Sequence, residues 1–400
     1  MKNLIQDALK EEMKDLKEEM KEWRRLLHQH PQTSYEETFA CEFVQKKLQE
    51  FGIPVHAGLA KTGVVGVLKG KPGRKKIALR ADIDALNIFE ENDFAYQSKF
   101  LGKMHACGHD GHTTMLLGAA KLLSQTKNFY GEVYFIFQPA EEGGAGAEKM
   151  MKEGLFEKFP ADTIWGLHNS PGLPLGHVAV KVGSMMASAD EFEIKIHGKG
   201  SHAAMPHFSN DPILIAAHLI TALQSIVARN LSPTESGVVS VTMMHAGSAL
   251  NIIPEQVSVK GTFRTLEKSV RTNIMEKIKK ISSGICEAFG AKCEVIFFPN
   301  NYPVLVNSKK ETDFAIAVAE KCFGANAVNG DAEPTLGGED FAFMLQKKPG
   351  SYIFLGNGAK GEKGSNPLHT PKYDFNDDAA PFGVQYWVEL TQAQLAENEI

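Results

Sequence analysis

The chain reads as a two-domain α/β protein, and three observations predict it. At 400 residues it exceeds one ordinary hydrophobic core. Residues 1–185 and 299–400 alternate short apolar runs with helical periodicities, the pattern of a mixed, mostly parallel sheet sandwiched by helices. Residues 186–298 change rhythm to β-α-β-β-α-β, the ferredoxin-like order. The predicted organisation is one domain of 1–185 and 299–400, with 186–298 inserted.

The elements follow from local pattern. Leu4, Ile5, Leu9, Met13, Leu16, Met20, Trp23 and Leu27 recur every three or four residues, an amphipathic helix that ends before Pro31. A second helix covers about 37–51 and stops at Gly52. Apolar runs at 63–68, 76–79, 133–137 and 163–167 predict strands, with helices over 113–123 and 145–155 between them. In the insert, 191–196, 238–245, 257–263 and 292–298 read as strands. A helix over 212–228 starts after Asp211, an N-cap followed by proline, and another over 269–289 is closed by Gly290. A helix at 311–322, a strand at 351–355 and a helix from about Ala380 complete the first domain.

Composition excludes some functions. Apolar content of 43%, charged content of 23% and a net charge of −5 describe an ordinary globular chain with no basic face for nucleic acid. The start, Met1-Lys2-Asn3, lacks the apolar run of a signal peptide, and no stretch approaches the roughly 20 apolar residues of a membrane span. The expectation is a cytoplasmic protein. Five scattered cysteines do not form a disulfide framework. Cys41, Cys286, Cys293 and Cys322 read as buried small hydrophobes.

Cys107 is different because of its neighbours. The segment Met104-His105-Ala106-Cys107-Gly108-His109-Asp110-Gly111-His112 packs a thiol, three imidazoles and a carboxylate into nine residues, with glycines for tight turning. Thiol and imidazole together suit borderline-soft divalent metals. Further clusters fall at strand ends: Asp82 and Asp84, Glu141 and Glu142, then His168. In α/β sheets ligands gather beyond the carboxyl ends of strands. His369 sits in a later loop. Asp82 and Asp84 are candidates either for ligands or for groups that hold an imidazole in place. His105 and His112 stay undecided, since nine crowded residues cannot all face one ion.

The motifs WRRLLHQHP, LRADIDAL, MHACGHDGHTTML, FQPAEEGGAGA, GLHN, GKGSHAAMPH, NIIP, GGEDF and PLHTPKYDFND, in that order along nearly the whole chain, resemble those of the M20 metallopeptidase superfamily. The likeness is to its amidohydrolase branch: aminoacylases, hippurate hydrolases and hydrolases of plant-hormone conjugates. It implies a catalytic domain with two divalent metal ions and an inserted ferredoxin-like domain that dimerises. It puts the metal ligands on Cys107, His109, Glu142, His168 and His369, and the general base on Glu141. His202 falls on an imidazole offered to the transition state, serving the partner subunit's site. Asn251 and Arg264 fall on groups that hold the substrate's carbonyl or carboxylate. Gln32 stands where many relatives have an acid, a position that is not a ligand.

The implied reaction is metal-dependent hydrolysis of an N-acyl-L-amino acid, with an acetyl, benzoyl or similar acyl group, releasing a carboxylic acid and an amino acid. Mn²⁺, Zn²⁺, Ni²⁺ and Co²⁺ all suit a mixed thiolate, imidazole and carboxylate set. A dipeptidase or carboxypeptidase of the same superfamily is the alternative, and a metal-bound amino-acid-binding protein a further one. Met185, Met186, Phe192, Met205 and Met344 are candidates for either a substrate pocket or the core. Since His202 lies in the insert, a homodimer formed through that domain is expected.

Overall fold

The computed structural model describes residues 2–299 and 301–397, with side chains from Asp15 onward. The side chains of Leu4, Ile5, Leu9 and Met13 therefore lie outside the described residues. In chain order the main strands are β1 (Val55–Leu59), β2 (Gly63–Lys69), β3 (Lys71–Asp82), β4 (Tyr130–Gln138), β5 (Thr163–Gly172), β6 (Asp190–His197), β7 (Gly237–Ala246), β8 (Gln256–Thr265), β9 (Lys292–Phe297) and β10 (Gly350–Ala359). The main helices are α1 (Lys2–His28), α2 (Thr38–Glu50), α3 (His109–Thr126), α4 (Pro212–Leu223), α5 (Lys268–Ala288), α6 (Lys309–Phe323) and α7 (Ala380–Gln394). Two compact units result. One comprises the chain up to Gly183, Val306–Glu333 and the chain from Phe343; the other comprises Ser184–Leu305 and Pro334–Ala342.

The first unit is built on a sheet of order β1-β2-β4-β3-β5-β10, extended by the two-residue strands Val178–Ala179 and Val328–Asn329. β4, β3, β5 and β10 run parallel, and β1 and β2 add an antiparallel edge. β4 is apolar on successive residues because both its faces are covered. Its Val133, Phe135 and Phe137 join Ile77 and Leu79 of β3 and Leu16, Met20 and Leu27 of α1 in one core. β1 was not expected from the sequence. Its three central residues are exposed, so no alternation marks it.

Helix α3 packs on β3 and against α1 and α7. Close approach at Gly118 makes this possible: a Cβ there would lie 2.6 Å from Met20 Sδ and 2.7 Å from a Val384 methyl.

In the second unit, β6-α4-β7-β8-α5-β9 forms an antiparallel sheet of order β7-β8-β6-β9, the ferredoxin-like arrangement. Phe192, Ile194 and Ile196 of β6 meet Ile215 and Leu219 of α4 and Ile274 and Ile278 of α5. The Asp211 side chain caps α4 by accepting from the Ile213 and Leu214 amides. Three details differ from the sequence reading. The helix expected over 212–228 stops at Leu223, and a π-turn, Ile226–Asn230, follows. The helix expected over 145–155 divides into Gly146–Lys152 and Leu155–Lys158, broken by Gly154 at φ +93°. Residues 301–305 and Pro334–Ala342 pack with this unit rather than the first, since Ala189 pairs with Tyr302 and the Ala187 amide donates to Thr335 O. Isolated backbone bridges of this kind leave no periodicity to read.

Met185, Phe192 and Met344 are fully buried and Met186 nearly so, whereas Met205 is exposed. All five cysteines are free. Cys41, Cys107 and Cys286 are buried, but Cys293 and Cys322 are only partly so, which corrects their reading as buried hydrophobes. Among the described residues no helix is long and apolar enough to cross a membrane.

Replacing Gly118 by Ala adds a methyl to the α1–α3–α7 contact. Overpacking outweighs the gain in helix propensity, and a net loss of about 1–2 kcal/mol is expected, read from the urea unfolding midpoint.

Candidate metal centre

The site lies at the carboxyl ends of the parallel strands. β3 ends at Asp82 opposite Gln138 of β4, and His168 on β5 pairs with Phe354 of β10. Helix α3 opens with His109 directly after Gly108, whose φ of +92° is left-handed. A Cβ at Gly108 would also fall 2.3 Å from both Asn169 Nδ2 and Tyr373 Oη, so glycine is required on two counts. The distant loop carrying His369 is tied in by its own backbone: the His369 amide donates to Ala106 O at 2.8 Å. His369 itself adopts φ +59°, a strained conformation for a non-glycine residue.

All five residues expected as ligands come together. Cys107 Sγ lies 3.3 Å from His168 Nε2 and 3.3 Å from His369 Nε2. Glu142 Oε1 lies 3.1 Å from His369 Nε2 and 4.0 Å from His109 Nε2. Two sets of ligand atoms, each within 4.8 Å of one another, share the thiol: Cys107/His109/His168 and Cys107/Glu142/His369. A third set, His109/Glu141/Glu142, brings in the buried Glu141 carboxyl.

The ring tautomers are set by acceptors behind the site. His109 Nδ1 donates to Asp84, with the carbonyl oxygen at 3.0 Å and Oδ1 at 3.1 Å. His168 Nδ1 donates to Asn169 O at 2.7 Å. Each ring therefore directs the lone pair of Nε2 into the cluster. Asp84 sits behind an imidazole, and Asp82 does the same for His112, accepting from its Nδ1 at 2.6 Å. Asp82, His109 and His112 also lie within ligand distance of one another. However, His112 Nε2 accepts the Asn169 amide at 2.9 Å, so both of its ring nitrogens are committed. His105 is buried beside Asp110 and His28, and it belongs to none of these sets.

The donor chemistry fits divalent cations. His109 Nε2 is buried without a hydrogen-bond partner and faces the carboxylate of Glu142. Burial pushes the Cys107 thiol well above its ordinary range, and Glu142, Glu141 and Asp82 add to the effect. Cys107, His109, His168 and Glu141 are buried, Glu142 is half-buried and His369 is exposed at the rim; a cluster this rich in acceptors calls for positive charge at its centre, which a metal ion supplies.

The other expected residues belong to the second unit. His202 lies in a two-residue strand paired with Ile252, and Ala203 N donates to Asn251 O, so His202 and Asn251 are neighbours. His202 Nδ1 accepts the Ala204 amide at 3.0 Å, which leaves the proton of the neutral ring on Nε2. Arg264 is near the far end of β8, donating to Thr262 Oγ1 at 2.8 Å.

Residues 78–393 match the peptidase family M20/M25/M40. The chain belongs to this family. It is 42% identical over 390 residues to a hippurate hydrolase of Campylobacter jejuni, covering 97% of this chain and 98% of that one. It is 39% identical over 382 residues to thermostable carboxypeptidase 2 of Saccharolobus solfataricus, covering 94% and 96%. A crystal structure of a Bacillus subtilis protein, described as a dinuclear metal-binding peptidase of the M20 family, superposes with a TM-score of 0.83 at 36% identity, covering 96% of this chain and 99% of that one. This M20 chain is an enzyme, a hydrolase of amide bonds.

Sequence reasoning missed the supports of this M20 site. Asn169 Nδ2 donates to Cys107 O at 2.7 Å, and Tyr373 Oη donates to Asn169 Oδ1 at 2.9 Å. Beneath α3, Arg24 pairs with Asp374 and Asp377. His28 lies 2.8 Å from Asp110 and 3.1 Å from Glu90. The motifs that carry the resemblance contain most of these residues, but short sequence strings do not tell a ligand from its support.

Burial alone would lower the pKa of His28, but hydrogen bonds to Asp110 and Glu90 raise it from 6.5 to about 9. Its contribution to stability is complete below pH 6.5 and disappears as pH rises through 9. The urea midpoint is expected to fall across that interval, by up to about 3 kcal/mol in unfolding free energy, and His28→Gln should remove most of the dependence.

Proposed function

We propose that this protein hydrolyses N-acyl-L-amino acids, with an acetyl, benzoyl or similar acyl group, at a centre of two divalent cations. The observation that carries the reading is the pair of ligand sets sharing Cys107, with the Glu141 carboxyl beside them. The similarity to a hippurate hydrolase along nearly the whole chain supports it. Cys107, His109, Glu142, His168 and His369 would hold the cations, and Mn²⁺, Zn²⁺, Ni²⁺ or Co²⁺ suits such a set. When bound, the cations supply Lewis acidity toward the carbonyl oxygen and lower the pKa of water.

Glu141 acts as general base. It takes a proton from the attacking water as the water oxygen bonds to the amide carbon. As the tetrahedral intermediate collapses and the C–N bond breaks, it returns that proton to the leaving nitrogen. His202, held as an Nε2–H donor by the Ala204 amide, is suited to the developing oxyanion. Asn251 and Arg264 would hold the polar ends of the substrate, Arg264 by pairing with the amino-acid carboxylate.

A homodimer through the inserted domain is supported by the distances within the second unit. His197 pairs with Gln256 near the His202 end, and Asp190 pairs with Phe263 near Arg264. The span from Gln256 to Arg264 is roughly 26 Å at ~3.3 Å per residue. His202 and Arg264 of one subunit are too far apart to grip one small substrate, so two subunits would share each site. Edge strand β7 exposes Met243 and Met244, and α4 exposes Ile213 and Leu214, apolar surface that a dimer would cover. Five free thiols suit a cytoplasmic setting, and the net charge of −5 gives no reason to expect nucleic acid.

The carboxypeptidase relative favours a second reading, cleavage of peptides. A panel of dipeptides against their N-acetylated and N-benzoylated counterparts separates the two; preference for the free amine would overturn the first. Chelation should abolish turnover, and Mn²⁺, Zn²⁺ or Co²⁺ should restore it; unchanged rates after metal removal would defeat the metal-centre reading. Glu141→Ala is expected to retain metal and lose about 10²–10⁴-fold in kcat. Sedimentation should give twice the chain mass, and charged replacements at Met243 and Ile213 should yield monomers.

A further inference from the structure

The loop 139–146 carries both Glu141 and Glu142, and its backbone is unusual. Ala140 and Ala145 adopt φ +54° and +53°, and Gly143 adopts +77°. A left-handed alanine costs on the order of 1–2 kcal/mol and persists only where its surroundings over-determine it. The surroundings come from the segment 34–37, after the WRRLLHQHP motif. Glu37 is fully buried, and its Oε1 accepts the Ala140 amide at 2.8 Å. The same oxygen accepts the Tyr35 amide at 2.9 Å, while Oε2 accepts Thr62 Oγ1 at 2.6 Å. Ser34 Oγ donates to Glu142 O at 2.9 Å, and Tyr35 Oη donates to Gly144 O. On the opposite side the Glu142 amide donates to Asp84 Oδ2 at 2.9 Å. A side chain on Gly144 would meet Ala140 Cβ at 2.6 Å, so the loop is closed tightly on itself.

We infer that Glu37 is a positioning residue for the base-bearing loop: by accepting the Ala140 amide it holds the left-handed turn that aims Glu141, with Ser34 and Tyr35 securing the far side. The inference rests on the proposed role of Glu141. Glu37 does not touch substrate in this account. It acts as a hydrogen-bond acceptor, so its shape matters and its charge does not. A glutamine can keep the arrangement, with its oxygen toward Ala140 and Tyr35 and its amide donating to Thr62 Oγ1. An alanine cannot, and it leaves the Ala140 amide buried and unpaired.

The test compares Glu37→Ala and Glu37→Gln in the Mn²⁺-loaded enzyme with an N-acyl amino acid that the wild type hydrolyses. Glu37→Ala is expected to lower kcat about 100-fold with KM within about threefold, and Glu37→Gln to restore kcat to within about threefold of wild type. Hydrogen exchange over 139–146 gives a readout independent of activity: protection of this loop should fall in Glu37→Ala and return in Glu37→Gln. If Glu37→Ala does not fold, Ser34→Ala and Tyr35→Phe each delete one bond to the loop and should each lower kcat several-fold and raise exchange over 142–146. Wild-type kcat and wild-type exchange in the variants that fold would overturn the inference, as would a Glu37→Gln enzyme as impaired as Glu37→Ala. A wild type inactive on every acylated amino acid would instead defeat the proposed function, and the exchange comparison would still decide the clamp.

Discussion

A cluster of one thiol, three imidazoles and two carboxylates, buried except at exposed His369 and half-buried Glu142, can exist only if each hydrogen-bonding atom is assigned a direction, and in this protein the backbone makes the decisive assignments. Asp84 and the Asn169 carbonyl fix the protons of His109 and His168 on Nδ1. The Ala106 carbonyl draws in the loop of His369. Left unassigned, any of these polar groups would cost kilocalories in the low-dielectric interior. The rest of the first unit, from the parallel strands that end here to the glycine at 108, serves this arrangement.

The supports form two layers with different physics. Close to the cluster, hydrogen bonds from Asn169, Tyr373 and Ser34 to neutral oxygens, and from the Glu142 amide to the Asp84 carboxylate, hold backbone segments in place. Beneath α3, ion pairs among Arg24, Asp374 and Asp377 and the His28–Asp110 contact bind α1 and the C-terminal loop to the opening turn of that helix. Breaking a buried pair of this kind leaves an uncompensated charge, so removing one partner costs far more than the pair contributes. The chemistry asks for donors held within a fraction of an ångström, and supports from three distant chain segments provide that rigidity.

Much of the fold was legible because its signals are local. The apolar periodicity of Leu16, Met20, Trp23 and Leu27 and the Asp211-Pro212 helix start each depend on a handful of neighbours. The βαββαβ rhythm of the insert comes from consecutive elements. What escaped lacks such signals: exposed β1, the split after Lys152, and the bridges that bring Pro334–Ala342 to the second unit. The ligand candidates were legible because thiol and imidazole crowd around Gly108, and the strand-end acids stand out against apolar runs. The supports were not, since Glu37, Asn169 and Tyr373 are individually ordinary residues whose partners lie tens to hundreds of positions away.

By itself the sequence determined most of the helices and strands, the βαββαβ order of the insert, the family likeness and the inventory of metal-seeking side chains, since periodicity and residue chemistry are properties of short stretches. Only the tertiary structure decided that both ring nitrogens of His112 are taken up outside the ligand sets while Nε2 of His109 and of His168 face into them, that Asp84 backs an imidazole, and that His202 lies on a short strand beside Ile252 while Arg264 is near the far end of β8. These depend on which atoms face each other after the chain has closed, and a hydrogen bond's direction is set by its partner, not by its own residue.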